Sequence, residues 1–261
     1  TPGKPSVAGI DRRHAMKKIG GSAVAATTSL NGSMALAESH SSGAEIVRSH
    51  GYSYFGDLLY PAGFEHFNYV NPNAPKGGEI KFGARGTFDG FNRWAWRGNS
   101  QSNASVVGEG LLARAAFGTP VPADSLTDSY CFIAREIEYP KSKEWCVFHM
   151  RDDVVFRNGN PARASAARFS FELFRDQSIR SYKQLVKESI ESVEVIDDLT
   201  IRFKFFDDIS RRALIELVGG TPILSEEWYK ETGEELKEPS INLPMGTGPY
   251  QVGDNEFNRY D

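Results

Sequence analysis

Nine consecutive residues, Gly86-Thr87-Phe88-Asp89-Gly90-Phe91-Asn92-Arg93-Trp94, put one carboxylate, three aromatic rings, a hydroxyl, an amide and two glycines on one short stretch. That mixture suits holding a ligand: backbone donors and acceptors, an aromatic lining and a single charge are what an extended polar ligand needs. Asp89 would take an ammonium group, Phe88 and Phe91 would line the cleft, and Thr87 and Asn92 would supply polar contacts. A purely local reading also stands. Asp89 then forms a turn by bonding its own backbone, and both phenylalanines belong to the core.

Bond-breaking chemistry has no comparable constellation. His14, His40, His50, His66 and His149 are scattered, with no H-E-x-x-H and no i, i+4 pair. A metal site needs three or four converging ligands, so none is expected, and His149 reads as a strand residue. Neither G-x-S-x-G nor G-x-x-x-x-G-K-[ST] occurs, which removes the usual hydrolase and nucleotide signatures. Gly83-Ala84-Arg85-Gly86 shares only its glycines with a phosphate loop and reads as a turn. Glu136 and Glu138 flank a strand position, Glu226 and Glu227 sit on a solvated helix face, and neither pair makes an acid and a base. No catalytic residue and no cofactor is expected.

These residues must be positioned by a mixed set of elements. Ile80, Phe82 and Ala84 alternate as a strand that runs into the glycines of residues 83–92, where a ligand-facing loop belongs. Residues 38–58 show no period and are expected to wrap the surface. Residues 104–114 read as a helix interrupted by Gly108 and Gly110 and closed by residues 118–122. Residues 133–139 and 145–150 alternate as a hairpin, with Cys146, Phe148 and Met150 on one face. Residues 154–156 form a further short apolar run, ended by the turn Asn158-Gly159-Asn160-Pro161. The period then becomes helical, with Ala167, Phe171 and Phe174 at i, i+4, i+7 and Ala166, Phe169 and Leu173 beside them. A helix over 182–190, a hairpin 193–196 with 200–205 around Asp197-Asp198, a helix over 209–218 and a Ser225-capped helix 226–231 follow. Strands and helices without a strict βαβ rhythm predict an α/β or α+β class.

A chain that is 40% hydrophobic and 25% charged belongs with globular proteins rather than disordered ones. The formal charge is −4, yet residues 1–37 hold Lys4, Arg12, Arg13, Lys17 and Lys18 against Asp11, so the remainder carries −8. An acidic body does not suit nucleic acid, which needs clustered lysine and arginine. The basic start has the order of an export signal: Met16-Lys17-Lys18, a small and mildly apolar stretch, then Ala35-Leu36-Ala37, predicting cleavage after Ala37. Arg12-Arg13 fits a twin-arginine route, and Met16 as the start fits a Sec route; both stay open. Cys131 and Cys146 flank the predicted hairpin in a register that does not oppose them. Two free thiols are therefore expected, although an oxidising compartment would allow a pair.

Trp145, Phe148, Met150, Arg151, Phe156, Gly159, Pro161 and Phe169-Ser170-Phe171-Glu172 follow the order of a W-x-F-x-L-R strand, F-x-x-G-x-P turn and F-S-F-E helix. With Gly246-Thr247-Gly248-Pro249-Tyr250 they resemble the family 5 solute-binding proteins of ABC importers. Tyr60-Pro61-Ala62-Gly63-Phe64, residues 69–78 and residues 86–92 resemble its YejA-type branch, and the resemblance covers residues 50–261. It implies a type II periplasmic binding protein. Residues 38–95 and 187–261 would form a discontinuous first lobe, and residues 96–186 an inserted subdomain. The second lobe is expected to be missing, as in a fragment. It further implies a monomeric, exported protein that captures oligopeptides or peptide-like compounds in the periplasm and delivers them to an inner-membrane ABC permease. Thr247 and Gly248 would join residues 87–92 at the ligand, or the motif is only a rigid turn. Two other readings remain: a truncated product that binds nothing, and a twin-arginine exported hydrolase, against which the missing nucleophile motif counts. One departure matters for stability. Where the family has Thr-Ala-x-Asp-Val, this chain has Arg163-Ala164-Ser165-Ala166-Ala167. Without a side-chain cap the helix start loses about 1 kcal/mol unless Asn158, Asn160 or Ser165 substitutes.

Overall fold

In the computed structural model, residues 45–79, 86–101, 104, 108–113 and 121–250 are described. The expected export signal and the strand over 80–84 lie outside them. In chain order the elements are β1 (Ile46–Ser49), β2 (Gly51–Ser53), β3 (Asp128–Tyr130), β4 (Ala134–Pro140), β5 (Trp145–Met150), α1 (Ala164–Gln177), α2 (Arg180–Ser189), β6 (Ile190–Asp197), β7 (Thr200–Phe205), α3 (Leu214–Gly219) and α4 (Glu226–Thr232). The class is mixed α/β. One five-stranded sheet runs β1-β4-β5-β7-β6 with every neighbouring pair antiparallel, and β2 pairs with β3 separately.

The central strands follow from their alternation. Cys146, Phe148 and Met150 of β5 and Ile201, Phe203 and Phe205 of β7 are buried on the core face, while Lys204 reaches Glu191 at 2.9 Å outside it. Against that face α1 lays Ala164, Ala167 and Phe171, and the Phe171 ring meets Phe203 edge-on at 5.2 Å. Burying a phenylalanine of this kind stabilises the fold by about 1.5–3 kcal/mol, so α1 is held by its apolar stripe and not by its termini.

The start of α1 shows how little its termini contribute. Arg163 occupies the N-cap position and makes no side-chain cap. None of the three expected substitutes replaces one. Asn158 accepts from Asn160 N–H at 3.1 Å, the Asn160 amide donates to Glu227 at 2.6 Å, and Ser165 is exposed. Instead the Ala164 N–H donates to the carbonyl of Asp198, in the β6–β7 turn, at 2.9 Å. At the other end of the set, Ser225 caps α4 through Trp228 N–H, as its sequence predicts.

Several expectations change. Residues 108–113 are extended rather than helical: Leu112 donates to Gly219 O at 2.8 Å, bridges Cys131, and Ile133 donates to Gly110 O. The glycines explain the difference, because a Cβ on Gly110 would stand 2.6 Å from Gly219 O and one on Gly108 2.9 Å from Pro222 Cβ. These residues are chosen for close approach, not for helix propensity. Residues 46–53 form strands instead of a surface wrap, and Tyr52 is fully buried with its hydroxyl donating to Arg212 O at 2.5 Å. Their partners lie far along the chain, so no local period reveals them. Val155 makes only a single bridge, to Pro161, and α3 is shorter than residues 209–218. The single sheet also contains strands from both sides of the expected boundaries at 95/96 and 186/187. In particular β5 of the expected subdomain pairs with β7 of the expected lobe. Cys131 and Cys146 are free thiols, and burial pushes Cys131 up to about 12.

Candidate ligand-binding site

Residues 86–92 form a loop pinned from below. Phe91 is buried and donates its N–H to Ser240 O at 2.7 Å, and Gly90 sits where any Cβ would collide with that same Ser240 carbonyl. Asn92 is also buried. Its amide donates to the carbonyls of Leu236 and Glu238 at 2.8 Å each, and its Oδ1 accepts from Trp94 N–H at 3.1 Å. Those bonds engage the whole side chain. Asp89 is exposed, and its Oδ2 accepts the Asn99 N–H at 2.8 Å while its own N–H donates to Asn99 O. The partner is ten residues away, so Asp89 clamps the loop to residue 99 and does not form the local turn named above. Thr87 and Phe88 are exposed, and the Phe88 ring packs 5.5 Å from that of Phe91.

Thr247 and Gly248 are anchored on a different segment. Gly246 bridges Leu224, Ser225 N–H donates to Met245 O at 2.9 Å, and Arg157 N–H donates to Gly246 O at 3.3 Å. Arg157 further holds the approach to this turn through the carbonyls of Pro244 and Leu243. Gly248 is buried, and the Thr247 hydroxyl is shielded from solvent yet has no hydrogen-bond partner among the described residues. A buried hydroxyl left unpaired costs about 1–3 kcal/mol. Such a group is a natural place for a ligand atom or a water to dock.

Beside this turn runs a carboxylate that no sequence motif marks. Ile223 N–H donates to Glu109 O at 2.8 Å and Leu224 bridges Gly246, so residues 221–225 run between residues 108–112 on one side and 244–248 on the other. Glu109 is half-buried, and burial pushes its carboxyl up to about 7, against a smaller opposing pull from Arg151. Arg151 is engaged elsewhere, its fork closed on Asp153 at 2.7 and 2.9 Å. The one signal in sequence is Gly108-Glu109-Gly110, whose glycines look like interruptions of a helix. Among the described residues no group of three His, Cys, Asp or Glu is arranged to hold a metal, and no helix is long and apolar enough to cross a membrane.

Residues 132–260 match the family described as bacterial extracellular solute-binding proteins, family 5 Middle. Over 209 residues the chain is 32% identical to the "Probable peptide-binding protein YejA" of Agrobacterium fabrum, covering 77% of this chain and 32% of that protein. The "Peptidoglycan-binding protein YepA" of the same organism is 26% identical, covering 78% of this chain and 33% of its own. The chain therefore spans about a third of the length of these curated relatives. Among solved structures, NikZ from Campylobacter jejuni in complex with Ni(L-His) is 21% identical with a TM-score of 0.49, covering 64% of this chain and 31% of that one. DppA from Helicobacter pylori in complex with a peptide is 23% identical with a TM-score of 0.46, over 67% and 36%. At these scores the likeness adds nothing to the sequence match. Residues 132–260 thus carry the match to the bacterial extracellular solute-binding proteins of family 5, and the YejA-like relatives extend the similarity toward the N-terminus.

Proposed function

We propose that the chain serves in an exported, monomeric substrate-binding protein of an ABC importer, one that captures oligopeptides or peptide-like compounds in the periplasm and hands them to a membrane permease. The observation that carries this reading is the family match over residues 132–260, joined to a relative named as peptide-binding. A second relative is named as peptidoglycan-binding. The described body is then part of the first lobe, cleaved from its export signal after Ala37, and it acts as a binding protein rather than an enzyme. Closure of two lobes around a ligand is what would couple capture to permease recognition.

Within the site, Asn92, Phe91 and Gly90 hold the loop rigid so that Thr87 and Phe88 face outward beside Asp89. Thr247 and Gly248 supply the second wall. Holding ligand-contacting groups on a pre-formed loop limits the ordering cost of binding. Calorimetric titration of this chain and of a full-length relative with a mixed tri- to pentapeptide library tests the reading. Saturable heat from the relative, weaker in this chain, is expected; silence from both would sink the peptide assignment.

A further inference from the structure

The turn that leads toward α1 carries a chemically reactive pair that ligand capture does not use, Asn158-Gly159. Both residues are exposed, Gly159 has a φ of 86°, and apart from its chain neighbours nothing lies within 4 Å of the place its Cβ would take. The Asn158 Oδ1 accepts the Asn160 N–H at 3.1 Å. This is an Asx-turn, and the ring that its hydrogen bond closes contains both the Asn158 Cγ and the Gly159 nitrogen. The donor is itself held in place. The Asn160 side-chain amide donates to Glu227 at 2.6 Å, the Asn160 carbonyl accepts the Phe156 N–H at 2.8 Å, and Val155 bridges Pro161. An electrophilic carbon and a backbone nitrogen are thus kept side by side, with a fixed N–H on the oxygen that would gather charge.

We propose that Asn158 is a site of spontaneous deamidation in the folded protein, passing through a cyclic imide to aspartate and isoaspartate. The Gly159 nitrogen gives up its proton to solvent and bonds to the Asn158 Cγ, and the charge that develops on Oδ1 is met by the Asn160 N–H. The bond from Cγ to Nδ2 then breaks, Nδ2 takes a proton from solvent, and ammonia leaves. Water adds to either carbonyl of the imide. One opening restores the original main chain as aspartate; the other routes the main chain through the former side chain as isoaspartate. The sum is one water consumed and one ammonia released, with nothing oxidised or reduced. Asn160 is spared, because Pro161 after it has no N–H to lose.

One bond opposes the reaction: the Gly159 N–H donates to Phe156 O at 2.8 Å and must let go. A neutral bond of this kind is worth about tenfold at most. A fixed donor to a developing oxyanion is worth about 100-fold or more in an enclosed site, and holding the reacting atoms together adds to it. Even with exposure weakening the donor, the folded turn should react no more slowly than a flexible peptide. The isoaspartate product lengthens the main chain inside a turn bonded at both Phe156 N–H and Phe156 O. Arg157 lies within that turn and holds Pro244 O at 2.8 Å, so the change loosens the approach to Thr247 and Gly248. The chemistry is the same whatever the protein binds.

The test ages the folded chain in mildly alkaline buffer made with 18O-labelled water, beside a synthetic peptide of residues 154–163 as the flexible reference. Trypsin cuts after Arg157 and Arg163, and the fragment 158–163 is followed by liquid chromatography and mass spectrometry, which separate the amide from the two acid products. Labelled aspartate and isoaspartate are expected to appear in the folded chain at least as fast as in the peptide; slower conversion in the folded chain would overturn the proposal. Asn158→Gln, whose imide ring is larger and closes less readily, should leave this fragment unconverted, and acid products that persist there would move the site to Asn160 and overturn the assignment. Ageing should also lower the urea midpoint of the wild type and not that of Asn158→Gln, and equal midpoints would overturn the loosening of the turn.

Discussion

Asn92 ties two distant stretches together through a single amide, reaching the carbonyls of Leu236 and Glu238 from a loop more than 140 positions earlier. Removing it leaves those carbonyls facing a buried gap. Asn92→Ala should therefore destabilise the fold by about 2 kcal/mol, the cost of buried polar groups left unpaired, seen as a lower urea midpoint. A midpoint unchanged within error would show that water replaces the amide. This role is hard to read from sequence. The same Gly-Thr-Phe-Asp-Gly-Phe-Asn string suits ligand contact or anchoring, and only the distant partners separate Asn92 and Phe91, which face inward, from Thr87 and Phe88, which face outward. Glu109 is obscured for a related reason: its flanking glycines matter through Gly219 and Pro222, which no local pattern announces.

At the scale of elements, local patterns suffice for much of the structure. The two hairpins, α1, α2 and the Ser225 cap follow from alternation, helical spacing and one cap residue. They do not suffice for short strands such as β1 and β2, where three or four residues carry no usable period. The uncapped start of α1 gives a prediction of its own. Arg163→Asp supplies a side-chain acceptor for the first-turn N–H groups and a negative charge at the positive helix end. It should raise stability by about 1 kcal/mol, less whatever the Arg163 bond to Asp152 O at 3.0 Å contributes. A thermal midpoint that falls would show that this bond outweighs a cap. Conversely Gly219→Ala should unfold the region around α3, because its Cβ would lie 2.6 Å from Leu112 and 3.0 Å from Phe148. A loss of at least about 2 kcal/mol is expected from such overpacking.

For the whole molecule, the Glu109 carboxyl ties stability to pH. Its ordinary value is 4.5 and the fold raises it to about 7, so between those limits the folded chain holds a proton that the unfolded chain has lost. Stability from this group is therefore full below 4.5 and disappears as pH rises through about 7. Asp153, Asp176 and Asp197 are shifted downward, chiefly by Arg151, Arg175 and the Leu199 N–H respectively, and act only in more acidic solution. Urea midpoints at pH 5 and pH 8 should then differ more in the wild type than in Glu109→Gln, and equal differences would remove Glu109 from the account. The mixed class is legible from the rhythm of strands and helices, but the joining of both expected domains into one sheet is not, because strand partnership is set by packing across the chain. That joining bears on synthesis. Among the described residues β1 pairs only with β4, Ile46 meeting Pro140, so at ribosomal speeds of about 5–20 residues per second β1 emerges several seconds before its partner. During that interval both of its edges are open to a chaperone or export factor that favours unpaired strands, whereas pairing with β4 closes one of them.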